Sequence, residues 1–193
     1  MSRITCTING TRQPVVVKPG ESLREMLVDL GHFCVRDSDN GEGFAGSDTV
    51  IVDDMPVYAN LMMAVQADGK EIRTPDGLGD SRHLSIVQQA MIDAGVVQSA
   101  YNAPEAALLL TWLLEHTPHP TKDEVKQVLS GIFIRDAGYE RYYLAVRLAA
   151  EMRDHGRYTE PTAPSFRENL HYVGKPMGKV DGPQLVSGER SFV

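Results

Sequence analysis

Thiols are scarce in this chain. Its 193 residues hold two cysteines, Cys6 and Cys34, too few for a disulfide framework at this length, so both are expected to be ordinary reduced thiols. Basic clusters are missing as well. With 19 Lys and Arg against 26 Asp and Glu the net charge is −7, and a nucleic-acid partner, which needs a basic stripe to displace counterions, is excluded. No apolar run approaches the ~20 residues of a membrane span. The longest, Ala106 to Leu114, is broken by Thr111, so no membrane partner is expected. The opening residues Met-Ser-Arg-Ile-Thr-Cys-Thr hold no apolar run of signal-peptide length, which makes the cytoplasm the expected compartment.

Self-sufficient catalytic motifs are lacking too. There is no G-x-S-x-G elbow and no H-E-x-x-H pair. His116 and His119 invite a metal reading, but Pro118 interrupts any helix that would join them, and solvated loop histidines are the favoured reading. The loop from Asp37 to Asp48, with Gly41, Gly43 and Gly46, has neither the lysine of a phosphate loop nor, at Asp37, Asp39, Glu42 and Asp48, the spacing of a calcium loop. Its glycines are read as letting the backbone curl.

What is present is a change of period. Ile4, Cys6 and Ile8 alternate, Asn9-Gly10 supplies the left-handed backbone of a hairpin turn, and Pro14 to Val17 returns as a second strand. Ser22 and Glu25 form a capping box before Leu23, Met26, Leu27 and Leu30, which share one helical face. Thr49–Val52, Val57–Ala59 and Lys70–Thr74 read as further strands, the first two joined by a turn at Asp53-Asp54. After the linker Pro75-Asp-Gly-Leu-Gly79 the spacing becomes helical. Leu84, Val87, Met91 and Ile92 form a stripe, Ala106 to Leu114 is apolar nearly all round, Thr121 and Glu124 cap a third helix, and Tyr142 to Met152 forms a fourth. From Arg157 onward Pro161, Pro164, Pro176 and Pro183 break the pattern, and an extended tail is expected.

The expected fold is therefore α+β. An N-terminal β-grasp domain over residues 1–76 precedes a four-helix bundle over 77–156 and an extended C-terminal tail over 157–193.

Three segments occur in an order found in one family: Gly46 to Leu61, Val97 to Pro104, and Pro118 to Tyr139 with its Leu129-Ser-Gly-Ile-Phe-Ile-Arg-Asp-Ala-Gly138. They resemble the two-cluster subunit of molybdenum hydroxylases of the xanthine dehydrogenase and aldehyde oxidoreductase family. The resemblance covers about residues 3 to 150. It implies a 2Fe-2S ferredoxin-like first domain and a helical domain that holds a second 2Fe-2S cluster beside molybdopterin. Segments such as Gly43-Phe-Ala-Gly-Ser-Asp48 are most similar to the selenium-dependent xanthine dehydrogenase-like group, also called hypoxanthine oxidase or selenate reductase.

Where that family has cluster ligands, this chain has Asp39 or Asn40, then Ala45, Asp48 and Asn60 for the first cluster, and Ser99, Asn102, Ile134 and Asp136 for the second. Iron–sulfur clusters take thiolates, and Cys6 and Cys34 cannot complete one site of four. The expectation is that 2Fe-2S clusters are absent and that this chain binds no cofactor. Molybdopterin would then sit in a large partner subunit or fused domain, within a higher oligomer of the complex. An empty cavity costs about 24 cal/mol per Å³, so Ile134, Phe133, Tyr101 and Phe44 are expected to fill the vacated volume. Gln98 and Ser99 are read either as contacts to the pterin or as residues that cap and pack a helix end. No catalytic residue is expected. The implied function is a degenerate iron–sulfur unit of a purine-oxidising enzyme that keeps a scaffold role. The alternatives are electron transfer through atypical ligands and a free-standing protein-interaction domain.

Overall fold

Asn9 and Gly10 both take left-handed backbone, with φ of 47° and 79°, and fold β1 (Ser2–Ile8) back onto β2 (Thr11–Val17). The structure is a computed structural model that describes residues 1–99, 101–133, 138–156 and 178–189. The sheet is completed by β3 (Thr49–Val52), β4 (Met55–Tyr58) and β5 (Glu71–Arg73), in the order β2-β1-β5-β3-β4. β1 and β5 run parallel, and every other pairing is antiparallel.

Helix α1 (Leu23–Asp29) lies over this sheet. Ser22 accepts from the Glu25 amide while the Glu25 carboxylate takes the Ser22 amide, so two donors at the helix start are satisfied at once. Leu23, Met26 and Leu27 then bury against Ile4, Cys6, Ile8, Val15, Val17 and Ile72. Each such side chain contributes roughly 1.5–3 kcal/mol when fully removed from water.

β3 is buried along its whole length. Val50 and Val52 belong to the core beneath α1, while Ile51 belongs to the core of the helices on the opposite face. A strand covered on both faces must be apolar at every position facing either core, and Thr-Val-Ile-Val reads that way.

The helices are α2 (Ile86–Asp93), α3 (Ala103–His116), α4 (Lys122–Val128) and α5 (Tyr139–His155). Capping boxes at Ser85/Gln88 and Thr121/Glu124 start α2 and α4. Gly156, at φ 68°, closes α5. Leu108, Leu110, Met91, Leu129, Ile132 and Leu148 meet in one cluster around α3. Among the described residues no helix is long and apolar enough to cross a membrane.

The expected extended tail is corrected in its described part. Residues 178–189 contain a short helix, α6 (Gly182–Val186), with Leu185 and Val186 buried against the other helices. Pro183 stands in its first turn, where a missing backbone N–H costs nothing, so a residue read as a breaker starts the helix instead. The rest of the tail, 157–177 and 190–193, lies outside the described residues.

Candidate functional site

The loop between α1 and β3 is wound around a carboxylate. Asp39 Oδ2 accepts from the amides of Phe44 at 2.7 Å and Ala45 at 2.8 Å, and Asp37 Oδ1 accepts from those of Asp39 and Gly41. Asn40, Gly41, Gly43 and Gly46 all take positive φ, which turns successive amides inward. Burial opposes the charge on Asp39, but the amides of Ala45, Gly43, Phe44 and Gly41 outweigh it and hold the carboxyl below its usual range.

This loop docks on the helices through one carbonyl. Ala45 O accepts from the Asn102 side chain at 2.9 Å and from the Phe133 amide at 3.2 Å. A Cβ on Gly46 would lie 2.4 Å from Gly131 O, and the Tyr58 hydroxyl donates to that same carbonyl at 2.9 Å. Asp48 follows, with Oδ2 accepting from the Asn60 amide at 2.7 Å. Its Oδ1 and the Asn60 Nδ2 are buried without a hydrogen-bond partner. Burial pushes the Asp48 carboxyl up, against the opposing bond from Asn60.

Asp39, Ala45, Asp48, Asn60 and Asn102, expected at cluster positions, thus stand together where the sheet meets the helices. Asn40 is exposed. Gln98 is also exposed and donates to Gly95 O at 3.0 Å, while Ser99 accepts from the Tyr101 amide at 3.1 Å. Ile134 and Asp136 lie outside the described residues. The rings expected to fill vacated volume do not do so, because Phe44, Tyr101 and Phe133 are 57%, 41% and 68% exposed. The inside of the loop is taken up by the Asp39 carboxylate and the amides turned onto it, which leaves no room there for the Phe44 ring.

Two arrangements had no signal in the sequence. Glu105, in the first turn of α3, is wholly buried, and neither of its oxygens has a hydrogen-bond partner. An acidic residue there reads as an ordinary partner of the helix dipole. Asp76 collects His32 Nδ1 at 2.8 Å, the Cys34 thiol at 3.1 Å and the Thr74 hydroxyl. Burial works against its ionisation, yet the bonds from His32, Thr74 and Cys34 lower its pKa to about 2. The same place pushes the Cys34 thiol far up, first through burial and then through Asp76 and Glu105, so it is no nucleophile.

A second seam joins the halves at their edge. The Asp53-Asp54 turn is left-handed at both residues. Asp54 accepts from Trp112 Nε1 at 2.9 Å through its carbonyl and meets His116 Nε2 at 2.9 Å through its carboxylate. Arg73 forks onto Glu115 at 2.7 and 2.8 Å. His119 instead faces Asp154 at 3.3 Å, so the two histidines serve separate carboxylates. Among the described residues no three His, Cys, Asp or Glu side chains are placed to hold a metal.

Residues 74–147 match a family model described as a 2Fe-2S binding domain. Over 187 residues, 97% of this chain, the sequence is 43% identical to the Escherichia coli K12 protein named "Probable hypoxanthine oxidase XdhD", of which it covers 20%. It is 35% identical over 154 residues to the nicotinate dehydrogenase small FeS subunit of Eubacterium barkeri, covering 78% of this chain and 98% of that one. The fold is similar to that of the aldehyde oxidoreductase from Desulfovibrio desulfuricans ATCC 27774, with a TM-score of 0.85 over 100% of this chain and 22% of that one, at 22% identity. The chain therefore spans about a fifth of the length of the first and third of these proteins.

These matches correct the expectation that clusters are absent. A domain model described as binding 2Fe-2S, and relatives named as iron–sulfur subunits, point to a 2Fe-2S cluster. The donors present do not fit four-thiolate coordination. Asp39, Ala45 and Asn102 are engaged with the backbone, Cys6 lies in the sheet core, and Cys34 is bonded to Asp76.

Proposed function

Because the chain belongs to the family of iron–sulfur small subunits of xanthine dehydrogenase-type oxidoreductases, we propose that it serves as the non-catalytic scaffold of a molybdenum hydroxylase-like enzyme. In this reading it covers the molybdopterin end of a catalytic part carried by a partner chain or a further domain. The observation that carries it is a surface. Phe133 and Asn102 both donate to the Ala45 carbonyl, Phe44 and Tyr101 are the chain neighbours of Ala45 and Asn102, and Leu61 lies against Gly43. Phe44, Leu61, Tyr101 and Phe133 are exposed, and apolar side chains gathered this way mark a surface that a partner covers. This role does not depend on whether a cluster is bound.

Gln98 and Ser99, on the connection from α2 to α3, are the residues we assign to the pterin, since an amide and a hydroxyl can pair with its polar edge. The division into a ferredoxin-like unit over 1–76, a four-helix unit over 77–156 and a linker over 157–193 belongs to the same proposal. So do a cytoplasmic location, assembly into a higher oligomer, and kinship with the selenium-dependent group. A purine substrate is supported by the relative named a hypoxanthine oxidase.

Co-expression of the tagged chain with the catalytic polypeptide of its own enzyme tests the scaffold role. The two should co-elute, and Phe44→Ser with Phe133→Ser should release the catalytic part. Elution of the chain alone from both preparations would refute the reading.

A second reading, electron transfer through atypical ligands, is favoured by the family model over 74–147. Iron and sulfide analysis of anaerobically purified protein, with spectra before and after reduction, decides it. A reducible centre whose signal is lost on Asp48→Ala supports conduction. Absence of any reducible centre removes it.

A further inference from the structure

Distant parts of the chain meet in two different ways. At Gly188 the fit is steric, since a Cβ there would come within 2.6 Å of Cys34 Cβ and 3.6 Å of Pro104 Cγ. At the end of α3 the fit depends on a proton.

His116 closes α3 with both ring nitrogens set against acceptors. Nδ1 stands 2.8 Å from the Trp112 carbonyl, one turn back on the same helix, and Nε2 stands 2.9 Å from Asp54 Oδ2 in the turn between β3 and β4. A carbonyl and a carboxylate offer only lone pairs. Both contacts can therefore be hydrogen bonds only to an imidazolium, which carries a proton on each nitrogen. A neutral ring has one N–H and would turn a bare lone pair toward the other oxygen.

The surroundings favour the cation in other ways too. The ring centroid lies 4.4 Å from that of Trp112, and an aromatic face attracts positive charge. His116 is also in the last turn of α3, where the unpaired carbonyls of a helix end do the same. Trp112 grips the same turn independently, its Nε1–H donating to the Asp54 carbonyl at 2.9 Å and to Oδ1 at 3.1 Å.

We propose that His116 is a pH-operated clasp between the β3–β4 turn and the end of α3. With the imidazole protonated, the ring bridges the Trp112 carbonyl and Asp54, and the turn is held twice. When the proton leaves to solvent, one of the two contacts becomes lone pair against lone pair, the ring swings out, and the turn is left to the indole alone.

The charged groups around the ring come from each neighbouring element. Asp54 of the turn and Glu115 of α3 favour the cation. Asp53 is taken by Lys70, and Arg73 of β5 forks onto Glu115. Past the helix end His119 faces Asp154 of α5, while Arg153 donates to Asp154 and to the Leu114 and Pro118 carbonyls. The bonds to Trp112 and Asp54 raise the folded pKa of His116. A contribution of that sign is fully present below the unfolded value and is lost as pH rises through the folded one, so the clasp closes in acid and opens in base.

Trp112 is the one tryptophan of the chain, so its indole N–H gives a single resonance beside the clasp. On the full chain, 15N NMR follows the His116 ring nitrogens from about pH 5 to about pH 9, together with exchange protection of the indole N–H after correction for intrinsic rates. Both nitrogens should be protonated in acid, with a midpoint above the ordinary histidine value of about 6.5. Indole protection should fall about threefold or more in step with that titration, and His116→Gln should abolish the fall. Asp54→Asn keeps a residue suited to the left-handed backbone there and should move the His116 midpoint down by about 0.3 of a pH unit or more. A midpoint at or below the ordinary value, a midpoint unmoved in Asp54→Asn, or an identical loss of protection in His116→Gln overturns the clasp. Should the variants fail to fold, the unaltered chain still decides, because indole protection that does not follow the His116 titration overturns it as well.

Discussion

Asp39 and Glu105 are both shut away from solvent, at 5% and 0% exposure, yet their surroundings are opposite. The loop around Asp39 is bent through left-handed residues so that amides converge on the carboxylate, which remains charged. The start of α3 buries Glu105 with neither oxygen hydrogen-bonded, and there burial pushes the carboxyl pKa well up. What separates these two acids is that several backbone amides are turned onto one carboxylate and none is hydrogen-bonded to the other. The glycine-rich loop does that for Asp39, whereas the Glu105 side chain, although it stands in the first turn of α3, is buried with neither oxygen hydrogen-bonded.

The largest effect should come from breaking the first environment. Asp39→Ala leaves the half-buried Phe44 amide and the buried Ala45 amide without acceptors, at about 1–3 kcal/mol for a fully buried orphaned donor and less for the other. A total loss of roughly 3 kcal/mol in urea unfolding is expected, with the loop rather than the helices exposed first. Glu105→Leu should act in the other direction. Replacing an unpartnered buried acid by an apolar side chain of similar size is neutral or stabilising, so a gain of about 1 kcal/mol is expected by the same measurement.

The two acids should also separate by pH. Asp39 has a lowered folded pKa, so its contribution is present above its unfolded value and is lost as pH falls through the folded one. Glu105 has a raised folded pKa, so its contribution is present in acid and is lost as pH rises. Stability measured across this range should therefore decline on both sides, with Glu105→Leu removing only the alkaline decline. If that variant kept the alkaline loss, the contrast between the two acids would be wrong.

The smallest effect belongs to the edge seam. Arg73→Ala breaks an exposed pair and should cost no more than about 1 kcal/mol, less in high salt. His116 has a pKa raised by its bonds to the Trp112 carbonyl and Asp54, so its small share is present in acid and fades as pH rises through the folded value.

Much of the framework was legible because local chemistry enforces it. Asn9-Gly10 makes the hairpin, Ser22/Glu25 and Thr121/Glu124 make capping boxes, and β3 carries an unbroken apolar run. The apolar stripe of helix α2 was also readable, although its cap at Ser85/Gln88 was missed. What escaped the sequence depends on contacts far apart in the chain. Nothing near Gly188 shows that it meets Cys34, 154 positions away, and nothing near Glu105 shows that both its oxygens are buried without a hydrogen-bond partner. The exposed rings at Phe44, Tyr101 and Phe133 were misread because aromatic bulk suggests filling; at Phe44 the carboxylate of Asp39 had already claimed the interior of the loop. Cluster chemistry was misjudged from the donor count alone, and it was kinship that pointed to a cluster.

The contact of Gly188 with Cys34 makes the molecule its own gauge. Both sulfurs are hidden, Cys6 within the sheet core and Cys34 beneath a glycine that no side chain could replace without collision. A thiol reagent meets Cys34 when residues 178–189 stand aside or when the core it shares with Cys6 opens, while Cys6 answers to that core alone. The ratio of their labelling rates, each scaled to the denatured chain, reads one movement against the other without any attached dye or introduced residue.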